Sequence, residues 1–388
     1  MKTVFFIVTV FSIFIAGNVY LYVRSWQALE LLGRFRLWYG AGFWTVALLF
    51  VFMNVVKIPG GEWLNVLHVV GSGWVAVMLY ASLMLLTLDI VRLAGWAFSV
   101  RPAWIYGNYP LSKLILFMTV TAVMAVIFTV GYRKARYPEV TRLEIPVAKR
   151  AGELKELRIV MVSDIHLGHT AGRTFLRRVV NRINELEADA VLLAGDTFDS
   201  DPDPVIRSDT GAELDRLQSR YGVYAVSGNH EYIGERFARG SARKAFDYLA
   251  SHGVTVLTDS VALVDGSFYI AGRDDYSARR RKPLDSLLRQ VSGALPVILL
   301  DHQPYRLHEA QQAGVDLQLS GHTHHGQMWP INLITRKIYE KDWGYLKKGD
   351  THFYISCGVG TWGPVLRTAG HSEIVLIRMI FNGGEGEK

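Results

Sequence analysis

Hydrophobic positions fall into two kinds of pattern along this chain. Residues 3–23 (TVFFIVTVFSIFIAGNVYLYV), 38–56, 69–88 and 114–132 are apolar runs without a single charge. Each has about the twenty residues a helix needs to cross a hydrocarbon core. The pattern predicts four transmembrane helices in a domain covering residues 1–137. The first run is too long for a cleaved signal peptide, and no A-x-A-like site follows it. From residue 138 to 388 the runs shorten and alternate with turns. LRIVMVSDIH (157–166), ADAVLLAGD (188–196), YGVYAVSGNH (221–230), SFYIAGRDD (267–275), LPVILLDHQ (295–303), VDLQLSGHTH (315–324) and HFYISCGVG (352–360) read as buried strands. Residues 172–186 and 241–251 place apolar side chains at helical spacing. Strands alternating with helices predict an α/β domain of packed layers.

Charge follows the same division. Residues 1–137 hold 11 Lys and Arg against 3 acidic residues, while the remainder holds 31 against 32. The overall charge of +7 therefore belongs to membrane-flanking positions and does not describe a nucleic-acid-binding face. Four spans leave both termini on one side. Lys2, Lys57, Arg133, Lys134 and Arg136 face Arg24, Arg34, Arg36, Arg92, Arg101 and Lys113, nearly a balance. Arg142, Lys149 and Arg150 tip it towards a cytoplasmic catalytic domain on the inner membrane. The single cysteine, Cys357, excludes an intramolecular disulfide. Asp89 and Arg92, three apart near the end of the third run, read as an ion pair or as snorkelling side chains more readily than as a proton path.

Polar residues punctuate the strand ends. Asp164, Asp196, Asn229, His302 and His322 each follow a hydrophobic run, and ligands of open α/β sheets gather outside the carboxyl ends of strands. Asp164 and His166, like His322 and His324, are two apart and face one side of an extended segment. Taken singly, each has an ordinary reading as a cap, a turn residue or a core histidine. Together they form a nitrogen and oxygen donor set large enough for two divalent cations, suited to Mn, Fe or Zn, with no cysteine to suggest a structural zinc. One carboxylate is expected to bridge the pair, and the glycine before Asp196 permits close approach there. Two such ions clamp an in-line displacement at phosphorus.

The ordered set SDIH, AGD, SGNHE, DHQ and SGHTH resembles the calcineurin-like metallophosphoesterase superfamily over about residues 155–380. LSGHTHHGQMWP and ISCGVGTWGPVLR look like its branch of small bacterial membrane-associated phosphoesterases, some of which hydrolyse the pyrophosphate of UDP-2,3-diacylglucosamine. The resemblance implies a two-sheet β-sandwich flanked by helices. It implies that Asp164, His166 and His324 hold one metal, that Asn229, His302 and His322 hold the other, and that Asp196 bridges both. His230 would contact the phosphate and serve the leaving oxygen. The family's usual glycine after the second histidine is His325 here, which marks His325 as a rim residue of this chain.

GRDD follows a strand, so Arg273 reads as a contact to a substrate phosphate, while Asp274 and Asp275 read equally as caps of the next element. ARRRK (278–282) reads as a solvated run before an anionic-lipid site. Trp329, Trp343 and Trp362 suit either core packing or a membrane-facing lip. The expected function is a membrane-anchored, dinuclear-metal phosphohydrolase acting on a lipid-linked phosphodiester or pyrophosphate, with membrane lipids as partners and no nucleic acid. The alternatives are a tethered general or nucleotide phosphodiesterase and, less favoured, a non-catalytic sensor or scaffold.

Overall fold

A computed structural model describes residues 2–55, 63–100, 102–236 and 239–382. The chain forms two compact units, Met1–Gly131 with Gly363–Val365, and Tyr132–Trp362 with Leu366–Lys388.

The first unit is built from the long helices Lys2–Ala28, Arg36–Val55 and Trp63–Ala97 and from most of the helix Tyr109–Arg136. An apolar run can cross lipid only if every backbone group is paired internally, which a continuous helix achieves. Among the described residues, three segments are long and apolar enough to cross: Glu30–Met53, Trp63–Ala97 and Tyr109–Arg136. The expectation of four spans is thus corrected to three. The run 3–23 does fold as the helix Lys2–Ala28, but several of its side chains lie outside the described residues. Residue 56, Lys57 and Arg101 lie outside them as well. Asp89 also departs from expectation. Its carboxylate pairs with Arg24 of the first helix and accepts from the Tyr20 hydroxyl at 2.8 Å. A partner on a facing helix supplants Arg92, which lies on the same helix.

The second unit holds two six-stranded mixed sheets. One contains β1 (Glu139–Val147), β12 (Glu373–Phe381), β2 (Glu156–Val162), β3 (Ala190–Leu193), β4 (Val223–Ala225) and β5 (Val254–Val256), in that order. The other contains β10 (Gly344–Lys348), β11 (Thr351–Ile355), β9 (Leu317–Ser320), β8 (Val297–Leu300), β7 (Phe268–Gly272) and β6 (Ser260–Val264). Alternation along β2 decides the layering, since successive side chains of a strand face opposite ways. Ile159 and Met161 enter a core with Ile270, Ile298, Leu300, Leu317 and Leu319 of the other sheet. Val160 and Val162 instead meet Phe175, Leu176, Val179 and Ile183 of the helix Arg173–Asn184. Leu299, Phe353 and Ile355 face outward onto Leu284 and Leu307. Strands covered on both faces read as unbroken apolar runs, which is why all seven predicted strands are present.

The strands not predicted, β1, β5, β6, β10 and β12, lie at or beside sheet edges or are short. β1 is not expected from the sequence, and it pairs in parallel along β12 from Glu139–Glu373 to Val147–Phe381. Strands β2, β3, β4, β8 and β9 run parallel to their neighbours of this group within each sheet, so their carboxyl ends bring the polar residues of the sequence motifs together.

Candidate metal centre

The candidate ligands leave their strands through sharp turns. Asp164, His166, Asp196, His322 and His324 have φ of 54°, 52°, 50°, 73° and 48°. This left-handed region costs a side-chain-bearing residue about 1–3 kcal/mol, and such strain collects at functional sites. The expectation that i, i+2 pairs converge by sitting on extended backbone is therefore corrected: tight turns, not pleats, aim these side chains. Backbone bonds fix the turns. The Asp164 N–H donates to Gly195 O at 3.0 Å, the His166 N–H to Asp196 O at 3.1 Å and the Gly321 N–H to His302 O at 2.8 Å.

Two ligand sets result. Asp164, His166 and His324 present donor atoms to one point, and Asp196, His302 and His322 to another. In the first, the Nε2 atoms of His166 and His324 are 3.0 Å apart, and the Asp164 Oδ1 is 3.4 Å from His324 Nε2. Buried ring nitrogens so close need a shared proton or a cation. Asp196 Oδ2 lies 3.9 Å from His166 Nε2 and 3.1 Å from His302 Nε2, so one carboxylate reaches both sets.

The site accommodates divalent ions on two further grounds. His302 Nδ1 donates to Ala194 O at 2.7 Å, which directs Nε2 at the Asp196 carboxylate, 3.1 Å away. That juxtaposition is repulsive without a cation or proton between them. The Asn229 Oδ1 is buried with no hydrogen-bond partner, a state that buried acceptors rarely tolerate. It is free to ligate. Gly195 has φ 90°, and a Cβ there would stand 2.5 Å from His302 Nδ1. The glycine expected to allow close approach does so, towards the histidine ring.

Electrostatics divide the groups. Burial raises the Asp164 carboxyl above its ordinary value. Burial acts the same way on Asp196, but His302, His230 and His166 together outweigh it and hold that carboxyl low. Burial lowers His324, helped by His166 and the Arg367 guanidinium. His322 is pushed down to about 4 by burial and by His302. Neutral imidazoles of this kind are ready to ligate. Burial lowers His230 too, yet its hydrogen bond to Asp199 and the charges of Asp196 and Asp199 raise it overall.

Asp199 is one of four residues that sequence reasoning missed. Its Oδ1 lies 3.3 Å from His230 Nδ1 and 3.6 Å from His166 Nδ1. The signal was an acidic residue three positions after Asp196, in GDTFD. Glu231, within the quoted SGNHE, accepts from the N–H groups of Gly228, Asp196 and Phe198 at 2.6, 3.2 and 3.0 Å. Arg367 is fully buried and donates to Gly358 O and Gly360 O at 3.0 and 2.6 Å, beside His324 Nδ1 at 3.4 Å. Glu373 accepts from Tyr354, Ser356, Thr141 and the Cys357 N–H. No local motif marks the last two.

Two predicted residues are not brought into either ligand set. Arg273 is buried and donates to Glu309 at 2.8 Å and Asp301 at 3.3 Å. His325 is buried rather than at a rim, its Nδ1 2.9 Å from Asp342 and its Nε2 3.4 Å from Arg336. His230, by contrast, joins His166 and Asp199 in a third cluster. Its N–H donates to the Asp196 Oδ1 at 2.8 Å.

The calcineurin-like phosphoesterase family model matches residues 157–326, which contain every candidate ligand. A transmembrane protein with metallophosphoesterase domain from Danio rerio is 33% identical over 333 residues, 81% of this chain and 74% of that protein. The chain belongs to the calcineurin-like metallophosphoesterases. A bovine protein of the same description is 34% identical over 280 residues, 68% of this chain and 61% of its own length. An uncharacterized metallophosphoesterase of Helicobacter pylori is 32% identical over 232 residues, 58% of this chain and 60% of its own length. A metallophosphoesterase employs divalent metal ions and hydrolyses phosphoesters, and the two ligand sets above are the candidates to hold those ions.

Proposed function

We propose that this metallophosphoesterase is a dinuclear phosphohydrolase of the inner membrane, with a cytoplasmic catalytic unit, that cleaves a lipid-linked phosphodiester or pyrophosphate. The observation that carries the dinuclear reading is the Asp196 carboxylate, with Oδ2 within 4 Å of a histidine from each ligand set. Asp164, His166 and His324 would hold one ion, and Asn229, His302 and His322 the other, with Asp196 common to both. Manganese, iron or zinc would suit these imidazole and oxygen donors. Divalent ions held by these residues would supply Lewis acidity at phosphorus and would activate water near neutral pH.

The protein's own groups do the rest. Asp199 engages His230 at Nδ1, so the proton available to a leaving oxygen is the one on Nε2. Burial lowers the His230 pKa, but the hydrogen bond to Asp199 and the charges of Asp196 and Asp199 raise it overall, which favours the protonated form that a general acid needs. Glu231 pins the turns carrying Asp196 and Asn229 through its three N–H contacts. Arg367 braces the loop of Gly358 and Gly360 against His324.

Lipid substrates are favoured by the candidate membrane spans and by the resemblance of LSGHTHHGQMWP and ISCGVGTWGPVLR to a membrane-associated branch of the family, some members of which hydrolyse UDP-2,3-diacylglucosamine. The test is hydrolysis by the full-length protein in vesicles. A lipid pyrophosphate in the same bilayer should be cleaved with much higher kcat/KM than bis(4-nitrophenyl) phosphate or a nucleoside diphosphate. Preference for the soluble compounds would replace this reading with a tethered general phosphodiesterase.

A further inference from the structure

The helix Asn332–Ile338, which follows the metal-ligand loop, turns its large apolar residues outward. Its exposed face carries Leu333, Ile334 and Ile338 at 48%, 58% and 60% exposure, and Trp329 just before it is 52% exposed. Two of its polar residues turn inward: Asn332 is buried, and the Thr335 hydroxyl donates to Asp342 at 2.7 Å, while Arg336 and Lys337 are exposed beside the apolar residues. A helix on a soluble domain puts its apolar stripe on the core and its polar stripe outside. Here four large apolar side chains crowd the outer surface of one ten-residue stretch, a concentration that marks an interaction surface.

The patch is fastened to the metal centre. The Trp329 N–H donates to Thr368 Oγ1 at 2.9 Å. Gln327, two residues earlier, exchanges hydrogen bonds of 3.0 Å each with the backbone of Trp362. Trp362 is itself 60% exposed, with its ring 6.0 Å from that of His230. Charge identifies what covers the surface. Residues 329–348 contain Arg336, Lys337, Lys341, Lys347 and Lys348 against Glu340 and Asp342, whereas residues 138–388 carry 31 basic and 32 acidic residues in all. Asp342 is moreover buried against His325. An outward apolar face with a basic border fits the interface of an anionic leaflet, where Trp and Leu enter the acyl boundary and Lys and Arg meet phosphates. A membrane is also near along the chain, since the last candidate span ends at Arg136 and β1 begins at Glu139.

We propose that Trp329 and the helix Asn332–Ile338 form an interfacial lip that enters the head-group and acyl boundary of an anionic membrane beside the metal centre. The lip explains how a lipid-linked phosphate could pass from bilayer to ligands, and to that extent it rests on the substrate class proposed above. The sequence offers a clean probe, since the one cysteine, Cys357, is buried with none of its surface exposed.

Leu333→Cys and Ile338→Cys in the full-length protein can therefore be labelled selectively with an environment-sensitive fluorophore. The proteins are reconstituted in vesicles of equal phosphatidylcholine and phosphatidylglycerol, with nitroxide-bearing lipid as quencher. Arg243→Cys, on the helix Ser241–Ser251 with a side chain 81% exposed, is the aqueous reference. Both lip labels should be blue-shifted and quenched several-fold more than the reference, and replacing phosphatidylglycerol with phosphatidylcholine should weaken that quenching. Quenching equal to the reference overturns the lip. So does a lip label shielded from both the lipid nitroxide and aqueous iodide, which would mean that protein covers the patch. The readout needs no turnover: quenching without preference for a lipid substrate keeps the lip and removes the substrate proposal, and the converse removes the lip alone.

Discussion

Gly321→Ala is the sharpest perturbation that the metal centre offers, because it adds one methyl group and changes no ligand. Gly321 does not have positive φ, so alanine is not excluded by its backbone. The new Cβ, however, would stand 2.3 Å from the Asp164 Oδ2 and 2.6 Å from the Ser163 Oγ. A carbon and an oxygen come to rest no closer than about 3.3 Å, so the Asp164 carboxylate must retreat by about 1 Å. It has little freedom to do so, since the His322 N–H holds its two oxygens at 3.0 and 3.2 Å. Overpacking of this size costs about 1–3 kcal/mol, short of the roughly 5–15 kcal/mol that keeps a domain folded. The variant should therefore fold, and its damage should be local. A misplacement of about 1 Å can cost on the order of 10²-fold in rate. The assay is hydrolysis of bis(4-nitrophenyl) phosphate beside elemental analysis, with Gly172→Ala as control. Gly172 has φ −92°, and a Cβ there meets nothing within 4 Å. Circular dichroism should match among all three proteins. If Gly321→Ala keeps the metal content and rate of Gly172→Ala, Asp164 is not a ligand and the geometry argued above fails.

Three further outcomes follow from the assigned roles. Asp196→Asn, by weakening the one carboxylate common to both ligand sets, should lower the bound metal below the wild-type content of about two ions expected for such a clamp and abolish hydrolysis; elemental analysis and rate measurements check this. His230→Ala should retain its metal while kcat falls by roughly 10²–10⁴-fold, most with poor leaving groups; loss of metal instead would make His230 a ligand. Asp199→Asn should displace the alkaline limb of the kcat–pH profile towards lower pH. Carboxylates raise the His230 pKa against burial, and an acid is lost as pH rises through its pKa, so removing the Asp199 charge brings that loss earlier. An unmoved limb would show that another group sets it.

What the sequence made legible was the chemistry at strand ends, and the reason is physical. A strand buried on both faces must be a largely unbroken apolar run, so the polar residues just beyond it are conspicuous, as Asp164, Asp196, Asn229, His302 and His322 all are. Residues that act through folded proximity have no such frame. Glu373 gathers donors from Thr141 to Tyr354, and Arg367 reaches His324 across 43 positions; no spacing rule links such partners. Arg273 and His325 are the converse case, polar and well placed in the sequence but engaged in the structure by Glu309, Asp301 and Asp342. The left-handed backbone of the ligands was equally hidden, because residue type does not say which way a chain turns once it leaves a strand. Helix orientation sets a similar limit. The order Leu333, Ile334, Ile338 announces an apolar face, and the usual inference is that such a face turns inward. Periodicity states only that one side is apolar. Which side meets the core is decided by what else competes for burial, and here Asn332 and Thr335 take the inward places, with Thr335 bonded to the same Asp342 that holds His325. The polar network that locks His325 thus also turns the apolar face outward, so loosening it, as with Asp342→Ala, should disturb the lip before it disturbs the ligands.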